Sequence, residues 1–382
     1  MMDSKRISPS DGCHYFFGYY DLQPYNKDQT LHLAHRPPYI DKLPEAGDLC
    51  DIGYINLAED KFYKVAETRA WNFQQGSLLQ WFDDESIIYN DYLDGKYVSV
   101  IKKLNGDTVK IIDMPLGHIS QDRKWGLGIN FDRIYNFRPG YGYCMQVDPF
   151  YNENAPKDDG IFLVNIETGE IKLLISYDEM KKVFPEKPFS DMKLVVNHIT
   201  FNPSADHFLF LLRNFPEPGK KWGTLMVISD LEGNMINLTD YEVNSHYHWF
   251  DDDFIMIYSG LPRWGIYYFD LKRGIRSEMN NPIMDADDIH CIFSPDRCYI
   301  IGDGYPDEQQ MRHLYVYDTK TKLAEELLAE YSIPADPGDI RCDLHNIWSP
   351  DGTRISYDST RNNVREIREY DFAAYLRSKE NA

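Results

Sequence analysis

The stretch DIHCIFSPD, residues 288–296, decides the fold, because its form recurs along the chain. It reads as a histidine, two residues, an aromatic, a short polar turn and then an apolar strand. DLHNIWSPDGTRISYDSTR (343–361) and VNHITFNPSADHFLFLLR (196–213) repeat it. SHYHWFDDDFIMIYS (245–259) is a degenerate copy in which His246 and Trp249 hold the two places. Three more copies keep the turn and the following strand without the histidine: LQPYNKDQTLHLAHR (22–36), LLQWFDDESIIYND (78–91) and GHISQDRKWGLGINFDR (117–133).

Each copy is followed by a third strand ending in polar turn residues, such as GIFLVNIETGE (160–170), GIYYFDLKRG (265–274) and REIREYDF (365–372). A unit length of roughly 40 to 80 residues is that of propeller blades, the longest carrying insertions. Strands joined by Ser-Pro-Asp-Gly or Leu-Lys-Arg-Gly turns form antiparallel meanders. One meander cannot bury both faces, so the blades stack radially. The expectation is all-β: a seven-bladed β-propeller of four-stranded blades in a single domain, 1–382. Its blades begin near residues 22, 78, 116, 198, 246, 290 and 345. Two stretches break the period. NFRPGYGYCMQVDPFYNENAPKDDG (136–160) is rich in Gly, Pro and Tyr, and SYDEMKKVFPEKPFSDMK (176–193) contains a short predicted helix at DEMKKVF.

The totals agree with a large soluble β-protein. The 382 residues are 43% hydrophobic and 14% aromatic, with 28 tyrosines, a bias toward strands. A net charge of -21 argues against general nucleic-acid or anionic-membrane partners. No apolar run has the length of a membrane-spanning helix, and MMDSKRISPSDG lacks the apolar core of a signal peptide. The six scattered cysteines form no CxxC and read as reduced thiols, so a cytoplasmic location is expected. The sequence does not specify an oligomeric state.

In a propeller blade the first strand is innermost and lines the central channel. The Ser-Pro-Asp turn leads out of that strand, so the histidine lies at its other end. His198, His246, His290 and His345 are therefore expected around one channel mouth, from four consecutive blades. Converging imidazoles suit a divalent transition metal, or divide between metal binding and proton transfer. The loops after the second strands open on the same face and carry Arg36, Arg133, Arg213, Arg263 and Arg361, with Arg138 close behind. Guanidinium forks suit carboxylates. Arg133, Arg138 and Arg361 are the expected substrate-binding arginines, with Tyr20 of FFGYYD and Gln75 of AWNFQQG. Tyr19, Trp71, Tyr141 and Tyr143 are further aromatics for stacking on sugar rings. There is no GxSxG, P-loop, HExxH or paired CxxC.

The repeats, the length and three histidine segments resemble the oligogalacturonate lyase family, seven-bladed propellers that cleave short pectic oligosaccharides using Mn. HYHW (246–249) is similar to that family's His-x-x-Trp on a metal-bearing blade. NHITFNP (197–203) is similar to the segment with its catalytic histidine, which implies that role for His198. DLHNIWSPDG (343–352) is similar to its last metal-bearing blade, which implies His345 as a ligand. The family has His-x-His and an upstream Gln there. This chain has Arg341-Cys342-Asp343-Leu344-His345, so His290 is taken as the compensating ligand. The implied set is then His246, His290 and His345 on a divalent metal, Mn by resemblance. The resemblance implies His198 as the catalytic base and β-elimination of an acidic oligosaccharide; Arg213 is taken as the catalytic arginine from its loop position alone. Two other readings stay open: hydrolysis of an acidic glycan, with Asp21, Asp91, Asp303 and Asp358 as candidate carboxylates, and a non-catalytic propeller that binds a glycan or a protein.

Overall fold

A computed structural model describes residues 3–183, 191–218, 222–239, 244–260 and 262–380. Seven antiparallel sheets follow one another in sequence, each running from an inner to an outer strand, and together form a seven-bladed propeller. The inner strands of blades 2 to 7 are Gln80–Trp81, Leu116–Ile119, Leu194–Phe201, Asn244–Trp249, Ile292–Phe293 and Ile347–Trp348, each at its expected place. Blade 1 departs from expectation: only Leu31–Arg36, Cys50–Asn56 and Lys61–Thr68 form its sheet. The outer strand of blade 7 is Lys5–Arg6, which pairs with Glu366–Asp371 and closes the ring.

Alternating side chains hold the blades together. Along Phe254–Ser259 of blade 5, Ile255 and Ile257 pack with Leu209, Leu211 and Met226 of blade 4. Met256 and Tyr258 point the other way, onto Cys291, Ile300 and Tyr317 of blade 6. A strand buried on both faces reads as a continuous apolar run, which is why FIMIYS lacks a polar face. The recurring turn is equally local in origin. Ser294 Oγ donates to Asp296 Oδ1 at 2.6 Å, and Asp296 Oδ1 accepts the Cys298 amide at 3.0 Å. Ser349 and Asp351 repeat the arrangement. The fourth turn residue is left-handed in five blades: Gln29 (φ 56°), Arg123 (63°), Ala205 (58°), Arg297 (63°) and Gly352 (71°). Gly fits that conformation without strain and the others tolerate it at modest cost.

The two insertions are partly helical. The second begins with a helix, Tyr177–Val183, as expected for DEMKKVF up to residue 183; Phe184 lies outside the described residues. The first begins earlier than expected. The second strand of blade 3 stops at Gly128, and Phe131–Phe137 is a helix. Asn130 caps it, its side-chain oxygen accepting the Arg133 amide at 3.0 Å, with Asp132 in the first turn.

Instead of an inner strand, blade 1 has a detour. Phe16 bridges His35, and Tyr25 bridges His32. Between these anchors the chain leaves the blade and crosses the channel, bringing Tyr19 to His198 of blade 4 and Tyr20 to Tyr247 of blade 5. Gly18 permits the crossing: its φ is +137°, and a Cβ there would lie 3.2 Å from the Gln75 carbonyl oxygen.

Candidate functional site

Counting back three residues from each repeat aromatic, or from Ile119 in blade 3, gives one ring position per blade. Blades 1 to 3 place Leu22, Leu78 and Leu116 there, and blades 4 to 7 place His198, His246, His290 and His345. All seven are buried. The inner strands are irregular at the histidines. The pairing register slips between Asn197 and Ile199 and between Asn244 and Tyr247, and His198 and His345 have φ of 65° and 44°. Bulges and left-handed non-glycine residues cost energy and re-aim side chains, and they concentrate where a site needs a particular direction.

The four imidazoles converge. Ring centroids are 3.9 Å apart for His246 and His290 and 4.6 Å for His290 and His345. The Tyr19 and Tyr20 rings fill the middle, 5.1 Å from His345 and 5.0 Å from His290 respectively, and Tyr19 stacks on His198 at 4.9 Å with an 8° interplanar angle.

Asp303 organises the blade 6 and blade 7 members. Its Oδ1 accepts from His290 Nδ1 at 2.7 Å and from the His290 amide at 3.2 Å. Its Oδ2 accepts the Leu344 and His345 amides at 2.8 and 3.1 Å. Burial alone would raise this carboxyl, but the facing His290 holds it below the usual carboxylate range. Asp303 favours the protonated ring of His290; once that ring is neutral with its proton on Nδ1, Nε2 presents the lone pair a metal ligand needs. That Nε2 and both ring nitrogens of His345 are buried and have no hydrogen-bond partner among the described residues. His290, Asp343 and His345 each offer a ligand atom, all within 4.8 Å of one another. The donor chemistry fits a divalent ion, so this cluster is a candidate metal site. Asp343 thus takes the place expected of His246, whose Nδ1 lies 2.9 Å from Asp288 Oδ1. Arg312 and Arg341 bracket the Asp343 carboxylate at 2.6 and 2.9 Å, and despite burial keep it ionised well below the usual range.

His198, like His345 and unlike His290, is held below the ordinary histidine range. Burial and the nearby Arg213 push its pKa well below that of an ordinary histidine, so it is neutral at pH 7. Arg213 is itself buried, donating to Asn197 Oδ1 and Thr224 Oγ1. Arg138 is partly exposed, with its guanidinium 4.2 Å from the Tyr141 ring centroid, and Tyr141 lies edge-on to His198.

The other expected residues lie elsewhere. Arg133 does not face the mouth. Because its loop is a capped helix, its guanidinium turns into the insertion and bonds Asp148 and the carbonyls of Phe150, Glu153, Asn154 and Leu194. Arg361 pairs with Asp3 and Glu330 near the ring closure. Arg36 pairs with Asp51, and Arg263 with Glu278 and Asp285. Tyr20 belongs to the ring, but its hydroxyl donates to the Tyr247 carbonyl at 2.8 Å. Gln75 is buried beside Gly18, in the loop against which the detour packs. Trp71 donates to the Asp48 carbonyl, and Tyr143 stacks on Phe131, so both are structural. Of the four carboxylates weighed for hydrolysis, Asp303 orients His290, Asp91 accepts the Arg69 and Tyr92 amides, Asp358 accepts the Phe17 amide, and Asp21 lines the far cavity. That cavity, about 450 Å³, opens at the turn end of the channel between Trp81, Phe201 and Trp249. Sequence reasoning missed Arg312, and the roles of Asp288 and Arg341, since they act through side-chain partners rather than at a repeat position.

No protein-family model matches this chain, and no curated protein sequence matches it. Solved structures do. An oligogalacturonate lyase in complex with manganese superposes with a TM-score of 0.68 at 15% identity, covering 96% of this chain and 92% of that one. An oligogalacturonate lyase from Vibrio parahaemolyticus gives a TM-score of 0.64 at 16% identity, again with 96% and 92% covered. At these identities the likeness is one of fold. Among the described residues no helix is long and apolar enough to cross a membrane, and the six cysteines are unpaired.

Proposed function

We propose that this protein is a metal-dependent lyase that cleaves uronic-acid-containing oligosaccharides by β-elimination. One observation carries the reading: a neutral, buried histidine beside two arginines stands next to a cluster of partnerless imidazole nitrogens. Its propeller fold, shared with oligogalacturonate lyases, one of them a manganese complex, adds support.

His290, His345 and Asp343, with His246 alongside, would hold the divalent ion, manganese being the first candidate. Bound there, such an ion would withdraw charge from a uronate carboxylate and so acidify the proton on C5. The remaining work falls to the protein. Arg138 and Arg213 attract the substrate carboxylate in a chain of net charge -21. The same two charges disfavour protonated His198 and keep it ready to accept a proton. His198 takes the C5 proton as general base, and the C4 oxygen departs. The histidine surroundings are buried, which strengthens each of these interactions.

The test is metal analysis of the purified protein, followed by absorbance at 235 nm with a panel of uronic oligosaccharides. A stoichiometric divalent metal and an unsaturated product are expected. A metal-free protein that releases no unsaturated product from any uronide, with or without added Mn, overturns the reading.

A further inference from the structure

Tyr19 occupies the ring without belonging to any blade strand. The detour across the channel lays its ring parallel to that of His198 and sets its hydroxyl 3.3 Å from His198 Nε2. Its neighbour Tyr20 has its hydroxyl committed to the Tyr247 backbone. The Tyr19 hydroxyl instead touches only the imidazole among the described residues. The detour thus pairs one phenol with His198, a ring histidine that lies outside the candidate metal cluster.

Elimination needs an acid as well as a base, because a sugar alkoxide is a poor leaving group. Resting on the lyase reading above, we propose that Tyr19 is the general acid, and that the pair it forms with His198 restricts the substrate to uronides whose C4–O and C5–H bonds lie on the same face of the ring. The proton balance closes within the pair. The C5–H bond breaks, its electrons form the C4=C5 double bond, and the proton goes to His198. The C4–O bond breaks, and the departing oxygen takes the Tyr19 phenolic proton. The phenolate then recovers a proton from protonated His198 across their 3.3 Å contact, and both groups are reset. Two groups in contact reach only one face of a pyranose ring, so the elimination is syn. A 4-linked glucuronide has the two bonds on one face; a galacturonide has them on opposite faces.

The experiment compares wild type, Tyr19→Phe and His198→Ala on 4-linked glucuronide and galacturonide oligosaccharides. Product is followed at 235 nm and C5 hydrogen exchange in D₂O by mass spectrometry. Wild type is expected to cleave the glucuronides. Tyr19→Phe, which keeps the stacked ring, should lose ~10²–10⁴ in kcat with unchanged KM, metal content and melting temperature, while still exchanging the C5 hydrogen. His198→Ala should lose both exchange and cleavage. Cleavage of galacturonides alone, or full activity in Tyr19→Phe, overturns the proposal and leaves the lyase reading standing. Loss of exchange together with cleavage in Tyr19→Phe gives Tyr19 a merely structural role and also overturns it. A wild type that neither cleaves nor exchanges any uronide removes the lyase reading itself.

Discussion

Replacing Asp303 by Asn tests how the metal cluster is held. The two carboxylate oxygens accept from His290 Nδ1 and from the amides of His290, Leu344 and His345. Asn has the same shape but only one acceptor; the other oxygen becomes a donor. With its oxygen toward His290, the new NH₂ faces the Leu344 and His345 amides and orphans both. Flipped, it confronts His290 instead and forces the other tautomer, which covers the bare Nε2. Each orphaned buried donor costs ~1–3 kcal/mol, so the variant loses about 2–6 kcal/mol. At roughly 2.1 cal/mol/K per residue, unfolding 382 residues releases about 0.8 kcal/mol/K. The melting temperature of the metal-free protein should therefore fall by about 3–8 °C. Affinity for a divalent ion should fall ~10–100-fold, as when a ligand histidine loses its orienting partner. Differential scanning calorimetry after chelator treatment reads the first effect and titration calorimetry with Mn²⁺ the second. An unchanged melting temperature would refute the hydrogen-bonding account, and unchanged affinity would refute His290 as a ligand.

His198→Ala should lower kcat by ~10²–10⁴ while the metal content stays at the wild-type level; loss of metal would move His198 into the ligand set. Arg213→Gln removes a positive charge that disfavours protonation of His198. The histidine pKa should then rise, and the acid limb of the kcat/KM profile should move to higher pH; a shift to lower pH, or none, contradicts the assignment. Arg133→Ala breaks a fully buried ion pair with Asp148 and should cost about 3–5 kcal/mol of stability without a selective change in KM. A raised KM at unchanged stability would return Arg133 to the substrate. Arg361→Ala should leave KM for uronides as it is in the wild type, because its guanidinium lies between Asp3 and Glu330.

The blades were legible because what makes them is local. Ser294 and Asp296 build a turn from five consecutive residues, and a strand such as FIMIYS needs only two apolar faces. The histidine ring was legible because repetition places equivalent residues at equivalent positions. Direction was not. Arg133 sits at the expected distance past its strand, yet a capping Asn130 three residues earlier turns the loop into a helix and the guanidinium inward. Arg361 is decided by Asp3 and Glu330, which are remote in sequence. Tyr19 and Tyr20 were expected to meet a sugar ring, because nothing in FFGYYD announces that the chain crosses the channel there. Asp303 was noticed, but in the wrong role: its meaning lies in three amides and a ring nitrogen that only the folded chain brings together.

The N-terminal segment that closes the ring also furnishes the channel floor, and this sets an order of events on the ribosome. Lys5–Arg6 pairs with Glu366–Asp371, the Tyr15 amide donates to the Arg365 carbonyl at 2.7 Å, and the Phe17 amide donates to Asp358 at 3.1 Å. Tyr19 and Tyr20 are thus anchored from one side by a blade that is synthesised last. A nascent chain carrying four, five or six finished blades would have its early histidines in place and no floor beneath them. Ring closure would arrive in a single step, with blade 7, because Lys5–Arg6 has no partner strand before then. Moving the chain ends to another blade boundary by circular permutation would break that timing while leaving every side chain of the site present.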